Sequence, residues 1–384
     1  MHALYLDHNA TTPTLPEVTE VVAEAYSKGH GNPASQHQSG QTARRLLEDA
    51  RERTASLLGA RLTGPDGDQL VFTGTATEAN NLALLGIAGR APDASRHLII
   101  SSIEHQSVIE PAEHLLEEGW RLDTLPANGD GTMCAESLRP MFTEQTVLVS
   151  AMLGNHETGV LQPVEQLAEA CNERGIPMHT DAVQVVGKLP VDFRRLKVSA
   201  LSFGAHKFGG PVGVAGLLLR HDVRIVPQLF GGHQQRGVRP GTECLPLVLG
   251  MLRALEICQE RQRQHHRHLA ALRDRFESAL RAAISGLVVH GTAAPRLPQT
   301  SNVAFPDVDG QVMLVALNVA GVHCSAGSAC SSGSTELSPT LRAMQMPLEM
   351  AARSLRFSFG LTNDLEQIDE AVRRIVLVWS EIAV

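Results

Sequence analysis

Short apolar segments alternate with helix-like segments from about residue 15 to residue 260. The apolar segments include residues 69–72, 97–100, 146–149 and 176–179, and each has the length of a buried strand. This alternation is typical of α/β folds, in which strands joined by helices form a mainly parallel sheet. Because ligands of open α/β sheets collect at the carboxyl ends of the strands, we look for functional residues there.

Lys207 lies at such a strand end, between apolar runs at residues 198–203 and 212–219. A lysine that ends a buried strand loses hydration, so its amine can be neutral and can attack a carbonyl carbon. Asp181 ends the neighbouring strand, where a carboxylate can pair with a protonated pyridine nitrogen. Taken alone, these residues could be a solvated loop lysine and a turn aspartate. Together they predict pyridoxal 5'-phosphate as the cofactor.

Composition and charge predict an ordinary globular protein. The chain has 384 residues, of which 43% are hydrophobic and 19% are charged. This length and hydrophobic content are sufficient for the cores of two domains. We place a large domain at residues 15–260 and a small domain at residues 1–14 and 261–384. The net charge is −8 and basic residues are interspersed with acidic ones, so nucleic acid and membranes are not expected partners. The absence of a signal-like N-terminus favours a cytoplasmic protein.

The last third of the chain predicts a connecting helix followed by mixed elements. Residues 251–284 have the pattern of one long helix with an apolar face in its second half. Residues 287–289 and 301–305 are strand-like, and residues 365–382 predict a closing helix. We therefore expect the smaller domain to be α+β.

The six cysteines, at positions 134, 171, 244, 258, 324 and 330, show no spacing typical of a disulfide framework or a zinc site. We expect free thiols and no bound metal, with Cys171 and Cys258 buried in helices. Cys330 differs because residues 325–334 include no large apolar anchor, so we expect an exposed, mobile loop over about residues 325–338. A thiolate on such a loop could reach a buried cofactor, attack and withdraw, although a tolerated surface cysteine is the alternative.

Two further strand ends carry candidate site residues. Residues 71–82 predict a strand, a turn of small residues and a helix start, where backbone N–H groups can bind a phosphate. Ala76 and Thr77 are the expected contacts, although Thr75 or Thr77 can simply cap the helix. His105 follows the next strand and could stack on a flat cofactor ring while moving protons near neutral pH. A structural histidine is the alternative.

A series of short motifs runs in order along the chain, at residues 6–12, 31–33, 76–78, 104–105, 157–159, 179–181, 206–207, 236–242, 327–330 and 356–358. These motifs resemble those of the class V, fold-type I pyridoxal-phosphate enzymes. Within that group they are most similar to the cysteine desulfurases of the nitrogen-fixation and iron–sulfur assembly type. The resemblance implies a large domain built on a mainly parallel seven-stranded sheet and a smaller α+β C-terminal domain.

The resemblance also assigns residues around the cofactor ring. It implies that Lys207 forms the Schiff base, that Asp181 pairs with the pyridine nitrogen and that Gln184 lies near the ring hydroxyl. His105 would stack above the ring as the acid/base. His156 stands where many members carry asparagine, at the position that contacts the ring hydroxyl.

The resemblance also implies contacts to the phosphate of the cofactor. Ala76, Thr77 and His206 would hold the phosphate, and Thr242 would reach over from the other subunit of a homodimer. The family usually carries a serine two places before His206, whereas this chain has Gly204, which removes one phosphate hydroxyl.

Substrate and sulfur would be handled by three residues. Asn32 and Arg356 would hold the carboxylate of L-cysteine, which a planar guanidinium suits. Cys330 would take the sulfur as a persulfide, leaving L-alanine, and would pass it to an acceptor protein. The chain stops at Val384, without the longer C-terminal tail associated with scaffold docking in housekeeping members, so the acceptor stays open.

Alternative functions stay open at this point: a selenocysteine lyase, a class V aminotransferase, or a catalytically retired homologue that binds sulfur-carrier proteins. An aminotransferase needs no nucleophilic loop cysteine, so residues 327–330 count against it. The joint presence of Lys207, Asp181 and His105 counts against retirement.

Overall fold

The structure is a computed structural model that describes residues 3–92, 94–327 and 337–383. Within these residues the strands are β1 (Leu4–Tyr5), β2 (Gln69–Thr73), β3 (His97–Ser101), β4 (Arg121–Leu125), β5 (Thr146–Ser150), β6 (Met178–Asp181), β7 (Ala200–Gly204), β8 (Ala215–Leu219), β9 (Val288–Val289), β10 (Thr300–Ala304), β11 (Val322–His323) and β12 (Ser354–Ser358). The helices are α1 (Pro16–Ser27), α2 (Gln38–Leu57), α3 (Ala76–Ala88), α4 (Gln106–Glu117), α5 (Ala135–Leu138), α6 (Val164–Asn172), α7 (Phe193–Leu196), α8 (Leu245–Glu260), α9 (Gln262–Ala283), α10 (Gly310–Val319), α11 (Pro339–Ala343), α12 (Leu348–Ala352) and α13 (Leu365–Ile382). Short 3-10 turns lie at Arg139–Met141, Ala205–Lys207 and Gln234–Gly237.

Seven strands form the central sheet, in the order β2-β8-β7-β6-β5-β3-β4. β8 runs antiparallel to both β2 and β7, whereas the other neighbouring strands are parallel. This confirms the predicted α/β fold with a mainly parallel seven-stranded sheet. β3, β6 and β7 are buried along their whole length, so the residues that reach a ligand are those where these strands end.

The two faces of this sheet pack into different apolar clusters. Leu98 and Ile100 of β3 pack with α3 and α4, whereas Ile99 between them packs on the opposite face. Successive side chains of a strand point to opposite faces, so a strand buried on both faces reads as a continuous apolar run. The unbroken apolar segments in the sequence follow from this burial.

A second core gathers side chains from the two ends of the chain. The antiparallel sheet β12-β10-β9 and the parallel pair β1-β11 contribute to it. Leu6 packs there with Phe276 of α9 and Ile375 of α13. This core supports the proposed small domain of residues 1–14 and 261–384, whose boundaries remain a prediction.

The prediction of a single helix over residues 251–284 is wrong. α8 ends one residue before Arg261 and α9 starts one residue after it, and Arg261 itself has φ −109° and ψ 11°. The apolar faces explain the break. Leu252 of α8 packs in the core of the central sheet, whereas Phe276 of α9 packs in the second core. The break lets each helix turn its apolar face to its own core.

Other predictions about helices are confirmed. The closing helix expected at residues 365–382 is α13. Cys171 and Cys258 are buried in α6 and α8, and burial raises the pKa of each thiol to about 12. None of the helices in the described parts of the chain combines the length and the hydrophobicity needed to cross a bilayer.

Candidate active site

Lys207 and Asp181 lie at the carboxyl ends of two neighbouring strands. Asp181 is the last residue of β6, and Lys207 ends the 3-10 turn that follows β7. Because β6 and β7 are parallel, with Asp181 opposite Ser202, both residues lie at the same edge of the sheet. The Lys207 amine donates to the backbone oxygens of Asn9 and Ala10, at 2.6 and 2.8 Å. The N-terminal segment therefore borders this edge.

The Asp181 carboxylate is 7% exposed and has a donor on each oxygen. Oδ1 accepts from the Val183 backbone N–H at 2.9 Å, and Oδ2 accepts from Asn80 Nδ2 at 2.8 Å. These donors fix the orientation of the carboxylate. Asn80 was missed in the sequence analysis, although it lies three residues after Thr77 on α3, where side chains share a helix face.

The predicted phosphate site has the expected strand, turn and helix start. α3 begins shortly after β2, and Ala76 and Thr77 are its first two residues, whose N–H groups have no carbonyl partner within the helix. Thr75 precedes them and caps the helix, because its hydroxyl accepts from the Glu78 backbone N–H at 3.1 Å. A side-chain carbon at Gly204 would lie 3.2 Å from the Ala76 methyl group. Gly204 thus packs closely against this turn, and a serine side chain here would crowd Ala76.

His206 lies in the turn before Lys207, and its Nδ1 contacts Thr11 Oγ1 at 3.1 Å. Burial lowers the pKa of His206 to about 4, with a further contribution from the charges of Lys207 and Lys188. His206 is therefore neutral at pH 7, so it would offer a bound phosphate a hydrogen bond rather than a positive charge.

His105 and His156 form an edge-to-face pair with ring centroids 5.3 Å apart. His105 is the N-cap residue of α4, and its Nδ1 accepts from the Ser107 backbone N–H at 3.1 Å. His156 is 7% exposed, and burial, followed by the charges of neighbouring basic side chains, holds its pKa well below the usual value. Its Nδ1 has no hydrogen-bond partner among the described residues. A neutral ring with such a nitrogen suits a residue that binds a polar group of a ligand.

Gln184 connects the site to a buried lysine that the sequence analysis missed. Gln184 Nε2 donates to the Asn9 oxygen at 3.0 Å, and Gln184 Oε1 accepts from Lys188 Nζ at 3.3 Å. Lys188 is 8% exposed, and burial, together with the charge of Lys207, lowers its pKa to about 7. A lysine within the apolar residues 185–189 was the available signal.

Arg356 lies on β12 with its side chain 2% exposed. Its Nη2 pairs with Asp7 Oδ1 at 2.7 Å, and its Nη1 donates to the His156 backbone oxygen at 3.2 Å. Its Nε is buried and has no hydrogen-bond partner in the described part of the chain. A guanidinium that is fixed on two sides and has an unpartnered Nε–H suits the binding of a carboxylate.

Asn32 and Thr242 lie on the exposed surface. Both line a cavity of about 330 Å³. Asn32 Oδ1 accepts from the Ala34 backbone N–H at 2.9 Å. Within the described residues of one chain, the structure does not bring Asn32 into contact with the buried Arg356.

Cys330 lies outside the described residues, but both flanks of its loop are described. Ser325 exchanges two backbone hydrogen bonds with Arg356, at 3.1 and 2.7 Å. Ser338 donates a side-chain hydrogen bond to the buried Glu157. Both flanks therefore lie beside buried residues of the candidate site.

Comparisons with known proteins agree with this geometry. Residues 4–371 match the aminotransferase class-V family. The chain is 37% identical over 376 residues to cysteine desulfurase IscS of Dictyoglomus turgidum, covering 97% of this chain and 94% of that protein. It is 36% identical over 375 residues to cysteine desulfurase NifS of Azotobacter vinelandii, covering 98% and 92%. A solved NifS-like protein superposes with a TM-score of 0.90 at 32% identity, covering 99% of this chain and all of that one. The chain therefore belongs to the aminotransferase class-V family, which depends on pyridoxal phosphate.

Proposed function

We propose that this protein is a cysteine desulfurase that takes sulfur from L-cysteine, releases L-alanine and keeps the sulfur as a persulfide on Cys330. The observation that carries the proposal is the placement of Lys207 and Asp181 at neighbouring strand ends. Pyridoxal phosphate requires an amine for its aldehyde and a carboxylate for its ring nitrogen, and these two residues supply both. The names of the curated relatives point to the same reaction.

Residues of this chain suit each part of the cofactor. Bound pyridoxal phosphate supplies an electron sink for the substrate carbon that loses a proton. Lys207 would hold the aldehyde, and Asp181, fixed by Asn80, would keep a proton on the ring nitrogen. Gln184 and His156 would bind the ring hydroxyl, which the unpartnered Nδ1 of His156 supports.

The phosphate would lie at the start of α3. The N–H groups of Ala76 and Thr77 and the positive end of the helix dipole favour an anion there. Neutral His206 would add a hydrogen bond, and Thr242 of a second subunit would add another. The close approach of Gly204 to Ala76 leaves little room for a serine side chain, so this chain would bind the phosphate without that hydroxyl.

Lys207 and Cys330 would carry the chemical steps. The Lys207 amine, once displaced by the substrate, would remove the proton from the α-carbon of L-cysteine. The Cys330 thiolate would then attack the substrate sulfur, so that a sulfur–sulfur bond forms as the carbon–sulfur bond breaks. The electron pair of the broken bond stays with the carbon fragment, which gains one proton at the β-carbon, regains at the α-carbon the proton held by Lys207, and leaves as L-alanine. The placement of Ser325 and Ser338 beside the site supports this role for the loop between them.

Arg356 would hold the substrate carboxylate, since its buried Nε has no partner among the described residues. Asn32 would contribute from the surface, as would Thr242. Their exposure in one shared cavity supports a homodimer in which each chain completes the site of the other. The sulfur would pass to an acceptor protein, in a pathway such as iron–sulfur cluster assembly.

We also propose a cytoplasmic location. Cys134, Cys171, Cys244, Cys258 and Cys324 are free thiols, and reduced cysteines are typical of cytoplasmic proteins.

The proposal is tested with Cys330→Ser, which removes the nucleophile and leaves the cofactor site intact. We expect the purified variant to remain yellow, with absorbance at about 400 nm from bound cofactor, and to release no alanine from L-cysteine. Cys134→Ser, at an exposed cysteine elsewhere, is the matched control and should keep full activity. Normal turnover of Cys330→Ser would refute the proposed role of the loop cysteine.

A further inference from the structure

The residues around His105 determine where its proton lies. His105 Nδ1 lies 3.1 Å from the Ser107 backbone nitrogen and 2.8 Å from Ser107 Oγ. Asn80 Nδ2 lies 2.8 Å from the same hydroxyl and 2.8 Å from Asp181 Oδ2. A continuous path of hydrogen bonds therefore runs from Asp181 through Asn80 and Ser107 to His105.

Chemistry gives each link of this path one direction. A backbone N–H can only donate, so His105 Nδ1 must offer its lone pair to the Ser107 nitrogen. The Asn80 atom that faces the Asp181 carboxylate must be the amide nitrogen, because a carbonyl oxygen would be repelled there. The same nitrogen donates to Ser107 Oγ, so the hydroxyl hydrogen of Ser107 points to His105 Nδ1 and shares the one lone pair of Nδ1 with the Ser107 backbone N–H.

The start of α4 gives an independent argument. His105 is the N-cap residue, and the partial positive charge of a helix N-terminus disfavours a proton on the capping nitrogen. With Nδ1 as an acceptor, the ring proton lies on Nε2. His105 in this form can donate a hydrogen bond from Nε2, but that nitrogen has no lone pair with which to accept one.

The orientation of Asn80 agrees with this reading. Its side chain is fully buried, yet its Oδ1 finds no donor among the described residues. Buried polar atoms are normally paired. The orientation of this amide therefore satisfies the hydrogen bonds from Nδ2 to Asp181 and Ser107 and leaves Oδ1 without a donor.

We propose that Ser107 and Asn80 are positioning residues that hold His105 with its ring proton on Nε2, so that His105 acts as a hydrogen-bond donor and Lys207 alone takes the substrate proton. This inference rests on the proposed function. It replaces the two-way acid/base role that the family resemblance implies for His105 with a one-way role.

The position of the proton is measured directly by ¹⁵N NMR of the histidine-labelled holoprotein. Signals of His105 are assigned by their loss in His105→Gln. We expect the pattern of an imidazole protonated at Nε2, and a growing Nδ1–H fraction in Ser107→Ala. A proton on Nδ1 in the wild type would overturn the inference. Because no turnover is needed, this failure is distinct from a lack of alanine formation, which would contradict the proposed function instead.

A double-mutant cycle tests whether the path acts as one unit. Ser107→Ala and Asn80→Ala should each lower kcat about tenfold, with little change in KM, since each removes an oriented hydrogen bond. The double variant should lose no more than Asn80→Ala alone, because both changes break the same path. If the kcat of the double variant fell by the product of the two single losses, the proposal would be contradicted.

Two further variants separate positioning from simple loss of packing. Ser107→Thr keeps the hydroxyl and should restore most of kcat. Asn81→Ala is the matched control on α3, because Asn81 donates to backbone oxygens of Thr77 and Ser107 but not to the path. It should keep the wild-type kcat and the wild-type His105 signals.

Discussion

The inner and outer parts of the candidate site are held in different ways. Asp181 and Arg356 are buried and hydrogen-bonded within one chain, and Lys207 is half-buried with two backbone acceptors. Asn32 and Thr242 are exposed and line a surface cavity. The comparison indicates that the fold of one chain positions the groups that we propose to do the chemistry. The proposed second subunit would complete ligand binding.

The largest effect is expected at the centre of the inner part. Lys207→Ala removes the amine proposed to hold the cofactor and to move the substrate proton, so alanine release should fall at least about 1000-fold. Lys197→Ala removes the same charge from an exposed lysine paired with Glu169 and should keep activity. Activity within tenfold of the wild type in Lys207→Ala would remove the basis for the inner site.

Glu104 makes the inner part sensitive to pH. It is 3% exposed, its Oε1 accepts from the Met152 backbone N–H at 2.7 Å, and burial raises its pKa to about 8. A carboxyl group with a pKa raised on folding stabilises the protein most below its usual pKa, and this stability is lost as the pH rises toward 8. Glu104→Gln keeps the acceptor without the charge.

Urea unfolding of the holoprotein at fixed protein concentration measures this effect. Relative to Glu104→Gln, the wild type should lose about 1 kcal/mol of unfolding free energy per pH unit between pH 5 and pH 8. Glu110→Gln changes an exposed position of α4, and its unfolding free energy should change with pH in the same way as that of the wild type. Parallel curves for Glu104→Gln and the wild type would show that Glu104 does not titrate in this range.

Arg356 tests the substrate side of the inner part. Arg356→Lys keeps the charge but cannot hold Asp7, the His156 oxygen and a carboxylate at once. We expect KM for L-cysteine to rise on the order of thirtyfold, as the loss of a charge-assisted hydrogen bond implies. Arg353→Lys changes a neighbouring arginine whose contact with Asp307 is a looser 3.8 Å pair, and it should leave KM unchanged. Equal KM values in both variants would place the carboxylate elsewhere.

The smallest effect is expected in the outer part. Thr242→Val keeps the shape and loses one hydroxyl, so the affinity for pyridoxal phosphate should fall about tenfold. Co-expression of the Thr242→Val chain with a Lys207→Ala chain shows whether Thr242 contributes to the site of its own chain or to that of the other subunit. In a mixed dimer, the site with an intact Lys207 lies in the Thr242→Val chain. That site can receive an intact Thr242 only from the Lys207→Ala chain, so wild-type cofactor affinity should return. Affinity that stays low would show that Thr242 acts within its own chain.

The places of several site residues in the fold were predictable because the sequence pattern shows where the strands end. Lys207, Asp181 and His105 each follow an apolar run, and a parallel sheet brings the ends of such runs to one edge. The capping of α3 by Thr75 was also among the alternatives that the sequence offered.

Residues that face the site from a helix were not predictable in this way. Asn80 and Ser107 are polar residues in helices, where such residues usually face solvent, and only the packing of α3 against α4 buries them together. The break at Arg261 was missed because its cause is the position of two separate cores, which local periodicity does not contain.

The most direct test of the central claim is mass spectrometry of the protein after brief exposure to L-cysteine without reductant. The account predicts a gain of about 32 Da, one sulfur atom, on the peptide that contains Cys330 in the wild type and no gain there in Lys207→Ala. No gain on that peptide, or the same gain in both proteins, would contradict it.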